Sequence, residues 1–253
     1  MLQNAFYRVA RPTVRRLTRN HVWVTRGGFF DGLKVRGGLG FRNHSAPLSA
    51  EQRFLVNLPL VGRTVFDVGG FNGHLTWFFA QSARRVYAFE PNPTNYIQVL
   101  ETVVLNRLSN VQVINAAVGA ERGTATMLAS PGLDATGSLD PRIAAARREP
   151  PRAVCRAFEV PVVTIDDISR NAAPDFIKID VEGFEVEVLD YPDFQVEIHG
   201  AGQSDKLAHA SAVIEWLDQR GYTCRHVESG RIVSPEMSAI ALEGHVFATV
   251  HLQ

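Results

Sequence analysis

The stretch that decides the fold is "VFDVGGFNGHLTWFFA", Val65 to Ala80. An apolar segment ended by Asp67, Gly69, Gly70 and Gly73 and followed by a second apolar run reads as a buried strand that stops, turns and opens a helix at once. Such a turn presents free backbone N–H groups and admits a ligand closer than any Cβ would allow. It is not the dinucleotide fingerprint G-x-G-x-x-G, which from Gly69 needs glycine at 71 and 74, where the chain has Phe71 and His74. Nor does the chain carry a G-x-x-x-x-G-K-[ST] phosphate loop. The pattern is Asp67-x-Gly69-x-x-x-Gly73, and a carboxylate at the strand's end attracts a cationic ammonium group and repels pyrophosphate.

Outward from this turn, short apolar runs alternate with helical patterns, the rhythm of βαβ units that build a mostly parallel sheet. Strands are expected near Thr64 to Val68, Arg85 to Glu90, Val111 to Asn115, Phe176 to Asp180 and Phe194 to His199. Helices are expected near His74 to Ser82, Pro93 to Asn106, Glu182 to Asp190 and Asp205 to Arg220, with Pro93 in a first turn where its missing N–H costs nothing. Strands near Tyr222 to Glu228 and Gly244 to His251 close the sheet as an antiparallel edge pair. The segment Ser130 to Arg152, rich in Gly, Pro and Ser, breaks the rhythm and reads as a lid or an insertion.

The second strand, "RVYAFEPNP", ends in Glu90, where an acid holds a pair of ribose hydroxyls through charge-assisted hydrogen bonds. Alone, Glu90 reads equally well as an acid at a helix N-terminus. A cationic amino-acid head and a ribose together describe S-adenosylmethionine.

At this point the chain resembles the FkbM family of S-adenosylmethionine-dependent methyltransferases. The resemblance runs from about Glu51 to His199. It rests on "VFDVGGFNGHLTWFFA", "VYAFEPNPTNYIQVLETVVLNRLSNVQVINAAVG", "VPVVTIDDI" and, most specifically, "DFIKIDVEGFEVEVL". Gly70 stands where the family commonly has alanine, and Tyr191 where it has glycine. The resemblance implies a Rossmann-like class I methyltransferase fold, and O-methylation of natural products or sugars. It further implies that Asp67, Gly69 and Gly73 line the methionine part of the cofactor, Glu90 the ribose, and Asn115 to Ala117 the adenine. Gly70, in the same turn, is a cofactor-binding candidate too, and Asn92 is close enough to Glu90 in sequence to join the ribose or adenine edge.

Ligands of open α/β sheets sit outside the carboxyl ends of the strands. Asp180 closes one central strand, and Glu197 and His199, on one side of "FQVEIHG", close the next. His199 is the first candidate for a general base because its ordinary pKa lies near neutrality; Asp180 is the second, with Glu197 beside them. Asp180, Glu197 and His199 would also accept Mg²⁺ or Mn²⁺, but a metal is not favoured. Glu185 suits the positive end of a helix, whereas Glu182, with Asp180, could hold a cation, orient a hydroxyl or cap that helix. His74 reads as helix-start packing, and Lys178 as a strand residue reaching an acid near the sheet edge.

With 253 residues, 45% of them hydrophobic, the chain can bury a full core. The reading is a basic N-terminal extension, 1–48, followed by one methyltransferase domain, 49–253. Met1 to Arg42 hold nine Lys or Arg against one acid, Asp31, so the arm is basic and the body acidic. The arm could lie on an anionic membrane or on RNA, but Pro12 in its midst favours a solvated or self-docking extension. Cys155 and Cys224 suggest neither a disulfide framework nor a zinc site, so a cytoplasmic setting is expected, and because no apolar run approaches the ~18 residues of a spanning helix a soluble protein is expected. The expected acceptor is a small molecule or a glycan. Three alternatives stand: a nicotinamide dehydrogenase, opposed by the glycine spacing; a nucleic-acid methyltransferase gripping phosphates with the arm, opposed by Asp180-Val181-Glu182-Gly183 where base methylases carry Asn/Asp-Pro-Pro-aromatic; and a non-catalytic binding module.

Overall fold

The computed structural model of the chain describes residues 17–18, 20–37, 47–129, 156–170, 172–181, 193–198, 203–242 and 244–250. A short antiparallel ribbon, β1 (Val22–Val24) and β2 (Lys34–Arg36), leads to helix α1 (Ala50–Val56). The repeating units follow: β3 (Thr64–Val68), α2 (His74–Ala80), β4 (Arg85–Phe89), α3 (Pro93–Asn106) and β5 (Val111–Ile114). Next come β6 (Ala117–Val118), β7 (Gly123–Ala129), β8 (Arg156–Val163) and α4 (Ile165–Ser169). The chain returns to the sheet with β9 (Phe176–Ile179) and β10 (Asp193–Glu197), then α5 (Gln203–Asp218), β11 (Tyr222–His226), β12 (Ile232–Val233), a 3₁₀ helix (Pro235–Leu242) and β13 (His245–Val250).

The main sheet runs β12-β11-β13-β10-β9-β3-β4-β5. Its strands β10, β9, β3, β4 and β5 are parallel, whereas β13 is antiparallel to both β10 and β11. The order grows outward from β3 in one direction and resumes at β9 in the other, so the topological switch point lies between β3 and β9. One face is sealed by Phe66, Phe89, Ile177, Ile179 and Val196 against Val213, Ile214 and Leu217 of α5. The other packs Val65, Val86 and Phe176 against Leu55 of α1 and Phe79 of α2.

Two features differ from the sequence reading, and a third, the docking of the extension, agrees with it. The two-residue β12 lies outside β11, so the antiparallel edge holds three strands and not a pair. A second sheet, β6-β8-β7, borders the segment expected to be a lid: Ala129 pairs with Arg156, and residues 130–155 lie outside the described ones. Its strands alternate, Met127 and Val160 inward and Thr126 and Glu159 outward, and bury a small cluster with Ala117. The described part of the basic extension is packed on the domain. Phe29 stacks on Phe78 of α2 at 4.3 Å, Asn106 of α3 exchanges two hydrogen bonds with the Lys34 backbone, and Arg36 pairs with Glu101 at 2.5 Å. The helix expected near Glu182 to Asp190 and the arm through residue 16 lie outside the described residues.

The caps explain why the helices begin where they do. Ser49 and Gln52 form a reciprocal capping box on α1, and Asn92 caps α3 by accepting from Thr94 N at 2.9 Å, with Pro93 next. Helix α2 has no side-chain cap; it starts from Gly73 in a left-handed conformation.

At the switch point Gly69 has φ +88°, and a Cβ there would stand 1.9 Å from the Asp180 carbonyl oxygen. Close approach of β3 to β9 is therefore a reason for this glycine independent of any ligand. Gly69→Ala is expected to part the two strand ends and destabilise the fold by more than ~2 kcal/mol, read by denaturant unfolding. An unchanged midpoint would refute that account.

Candidate functional site

Cross-strand register gathers the polar residues. Asp67 sits opposite Lys178, Lys178 opposite Gln195, and Gln195 opposite Phe247, which puts all four on one face of the sheet. Two residues further along each strand the same face carries Gly69, Asp180, Glu197 and His245, at the carboxyl ends of the parallel strands. Helix α1 lies on this face, with Phe54 against Phe247 at 4.8 Å and Gln195 Nε2 donating to Glu51 Oε1 at 3.4 Å.

Lys178 is the centre of charge. Its side chain is 3% exposed, and its Nζ donates to Asp180 Oδ2 at 2.9 Å. Burial disfavours the ammonium, but the fields of Asp180, Asp67 and Glu197 outweigh it and hold the amine above its ordinary value. The acid that Lys178 reaches lies at the carboxyl end of the central strands and not, as the sequence suggested, near the sheet edge. Asp67 is fully buried; Thr76 donates to its Oδ2 at 2.5 Å, and Oδ1 has no hydrogen-bond partner among the described residues. Burial raises its pKa, against the lowering field of Lys178 and the Thr76 hydrogen bond.

Glu90, at the end of β4, is gripped by backbone. Phe71 N donates to its Oε2 and Asn92 N to its Oε1, both at 2.8 Å. Burial pushes this carboxyl up to about 7 in spite of these bonds and one from Asn95. Asn115 Nδ2 donates to the carbonyls of Glu90 and Pro91, so its side chain braces the backbone beneath the acid. The Asn92 side chain is taken by the α3 cap, and the Ala117 methyl by the cluster with Met127 and Val160. Gly70 and Gly73 lie in the same turn; a Cβ on Gly73 would meet Val99 and Thr102 of α3 at 3.1 Å.

His245 was not singled out by the sequence reading. It sits opposite Glu197 in the β10–β13 ladder and is nearly buried. Glu228 holds it twice, Oε1 to Nδ1 at 2.8 Å and Oε2 to the backbone N–H at 2.9 Å, while Nε2 faces Glu51 Oε1 at 3.3 Å and Glu197 Oε2 at 3.7 Å. His226 Nε2 lies 3.0 Å from the same Glu228. Burial lowers the His245 pKa, but the Glu228 hydrogen bond and the fields of Glu51 and Glu197 prevail and raise it. His199, the expected base, lies outside the described residues, as do Glu182 and Glu185. Among the described residues no group of three or more His, Cys, Asp or Glu is arranged to hold a metal ion. None of the described helices is long and apolar enough to cross a membrane.

A family model described as the methyltransferase FkbM domain matches residues 67–224. Similar solved structures include the methyltransferase FkbM from Methylobacillus flagellatus KT, 19% identical, with a TM-score of 0.43; the match covers 82% of this chain and 46% of that one, so this chain spans under half its length. Another is the precorrin-6y C5,15-methyltransferase from Geobacter metallireducens GS-15, 12% identical over 78% of this chain and 85% of that one, with a TM-score of 0.41. A third is the putative rRNA-methylase from Clostridium thermocellum, 12% identical over 81% and 98%, with a TM-score of 0.45. No curated protein matches the chain.

The residues fit S-adenosylmethionine. Asp67 Oδ1 is an unpartnered buried acceptor below the glycine turn, suited by charge to draw an ammonium group toward it. The Glu90 carboxyl takes one backbone donor on each oxygen and a further bond from Asn95, which leaves part of its lone-pair capacity for a diol.

Two outcomes check the electrostatics. Lys178→Met leaves the carboxylates of Asp67 and Asp180 facing each other without their cation, and is expected to cost about 3–5 kcal/mol in denaturant unfolding. His245 has a raised folded-state pKa, so its contribution is fully present below its unfolded value of about 6.5 and is lost as pH rises through the folded value. His245→Gln should lower stability at pH 6 by about 1–3 kcal/mol and flatten the fall in Tm between pH 6 and pH 8.5. Parallel curves for wild type and variant would remove this role.

Proposed function

The chain belongs to the FkbM methyltransferase family, and we propose that it moves a methyl group from S-adenosylmethionine to a hydroxyl of a small molecule or sugar. The observation that carries this reading is the row of Asp180, Glu197 and His245 beside the glycine turn at the carboxyl ends of the sheet. When bound, the cofactor supplies a sulfonium methyl for in-line displacement. The residues then have two tasks: to align the acceptor and to take up its proton.

Asp180 and Glu197 are partly exposed and suit both tasks. Lys178 Nζ donates to Asp180, and His245, fixed by Glu228, faces Glu197; each carboxylate keeps further lone pairs to accept from a hydroxyl. His199, two residues after Glu197, belongs to the same reading as the candidate base. Glu90 suits the cofactor's ribose, which donates to a carboxylate better than to a carboxylic acid.

The test is transfer of labelled methyl to a panel of sugars, nucleotide sugars and small alcohols, with RNA as the opposing substrate. Label recovered on a hydroxyl supports the reading, and label on RNA bases alone refutes the acceptor class. Asp180→Asn should lower turnover by roughly 10²–10⁴ while cofactor affinity holds. Because Glu90 titrates near 7, affinity for S-adenosylhomocysteine at pH 6 should be about tenfold weaker than at pH 8. Glu90→Gln should abolish that difference, as calorimetry at the two pH values would show.

A further inference from the structure

Phe71 has φ +49°. It is the middle of three alternate positions in the turn, 69, 71 and 73, that share a positive φ; the other two are glycines at +88° and +77°. That backbone is strained for an L residue with a bulky side chain and free for glycine. Nothing the turn needs from position 71 requires a side chain: the N–H donated to Glu90 belongs to the backbone, and glycine would supply it. The core does not use the ring either. Among the described residues Phe71 joins none of the three hydrophobic clusters and no aromatic pair, and it is 36% exposed. A strained conformation retained for an aromatic group that the fold leaves unused points to a contact outside the fold.

The amide of Phe71 locates that contact. It binds the acid at the end of β4, so the ring projects from a backbone fixed directly on Glu90. We propose that the Phe71 ring is a wall of the nucleoside subsite, packing on the ribose–adenine part of S-adenosylmethionine beside Glu90. This rests on the cofactor reading above. An aromatic face against a purine gains both buried area and stacking, and it excludes water from the carboxylate that holds the diol.

The experiment uses the full chain, wild type and Phe71→Gly, Phe71→Asn and Phe71→Trp. Calorimetry is run with S-adenosylhomocysteine, 5′-methylthioadenosine and methionine, and Tm is measured without ligand. Asparagine tolerates the left-handed backbone without glycine's flexibility, so it separates loss of the ring from loosening of the turn. The Gly and Asn variants are expected to bind S-adenosylhomocysteine and methylthioadenosine about tenfold more weakly. Their Tm should hold, or rise by about 2–4 °C as the strain is relieved. Phe71→Trp should keep wild-type affinity. The proposal is overturned if the Gly and Asn variants bind as tightly as wild type, or if they lose several degrees of Tm, which would make the ring a structural group. Weakening confined to S-adenosylhomocysteine, with methylthioadenosine unaffected, also overturns it, because the ring would then serve the methionine end. A wild type that binds neither nucleoside removes the cofactor reading and the proposal with it.

Discussion

The buried ammonium of Lys178 is the interaction on which the switch point depends. Asp67 and Asp180 end neighbouring strands on one face, and Glu197 ends the next. Without a cation these acids would repel one another in a poorly solvated space, and the least costly relief would be to take up protons or to draw the strands apart. Lys178 lies opposite Asp67 and two residues before Asp180 on its own strand, so one ammonium serves the acids of two neighbouring strands. The lip of the sheet can therefore carry the partly exposed carboxylates of Asp180 and Glu197 side by side.

The strand Thr64–Val68 and the helix Pro93–Asn106 were legible residue by residue, and the reason is local. A β-branched run closed by an acid and glycines has few other readings, and Asn92 with Pro93 marks a helix start by cap and ring chemistry alone. Strands β7 and β8 were missed although their alternation is present. The inward positions of β7 are Ala125 and Met127, too weak a signal to stand out beside the Pro- and Gly-rich segment that follows. The ribbon of β1 and β2 is not legible in the sequence, because its three-residue strands, set among basic residues, carry the pattern of a charged arm.

The candidate site was legible in part for the same reason. Asp67, Glu90 and Asp180 each end a strand, and a strand end can be seen in one stretch of sequence. His245 cannot be found that way. Its partners come from α1, from β10 and from the turn after β11, and only the folded register brings Glu51, Glu197 and Glu228 around one imidazole. Asn115 and Ala117 rest on the family resemblance and Asn92 on its nearness to Glu90, and the fold shows what both leave out. Their side chains serve a helix cap, a backbone brace and a small core, so any share they have in a ligand passes through the backbone or through Glu90.

The pairing of β3 with β9 also governs when the site comes into being. Thr64 and Asp175, which tie the start of these strands together, are 111 residues apart in the chain. The hydrogen bond from Gln195 to Glu51 spans 144. Closing such large loops before their contacts repay the lost entropy is slow. The units β3-α2-β4 and β4-α3-β5 join near neighbours in the chain, and the glycine turn and Glu90 lie within them. The lip of Asp180, Glu197 and His245 must wait for the last strands to emerge. During synthesis the residues around Glu90 are therefore all present before Glu197 and His245 emerge.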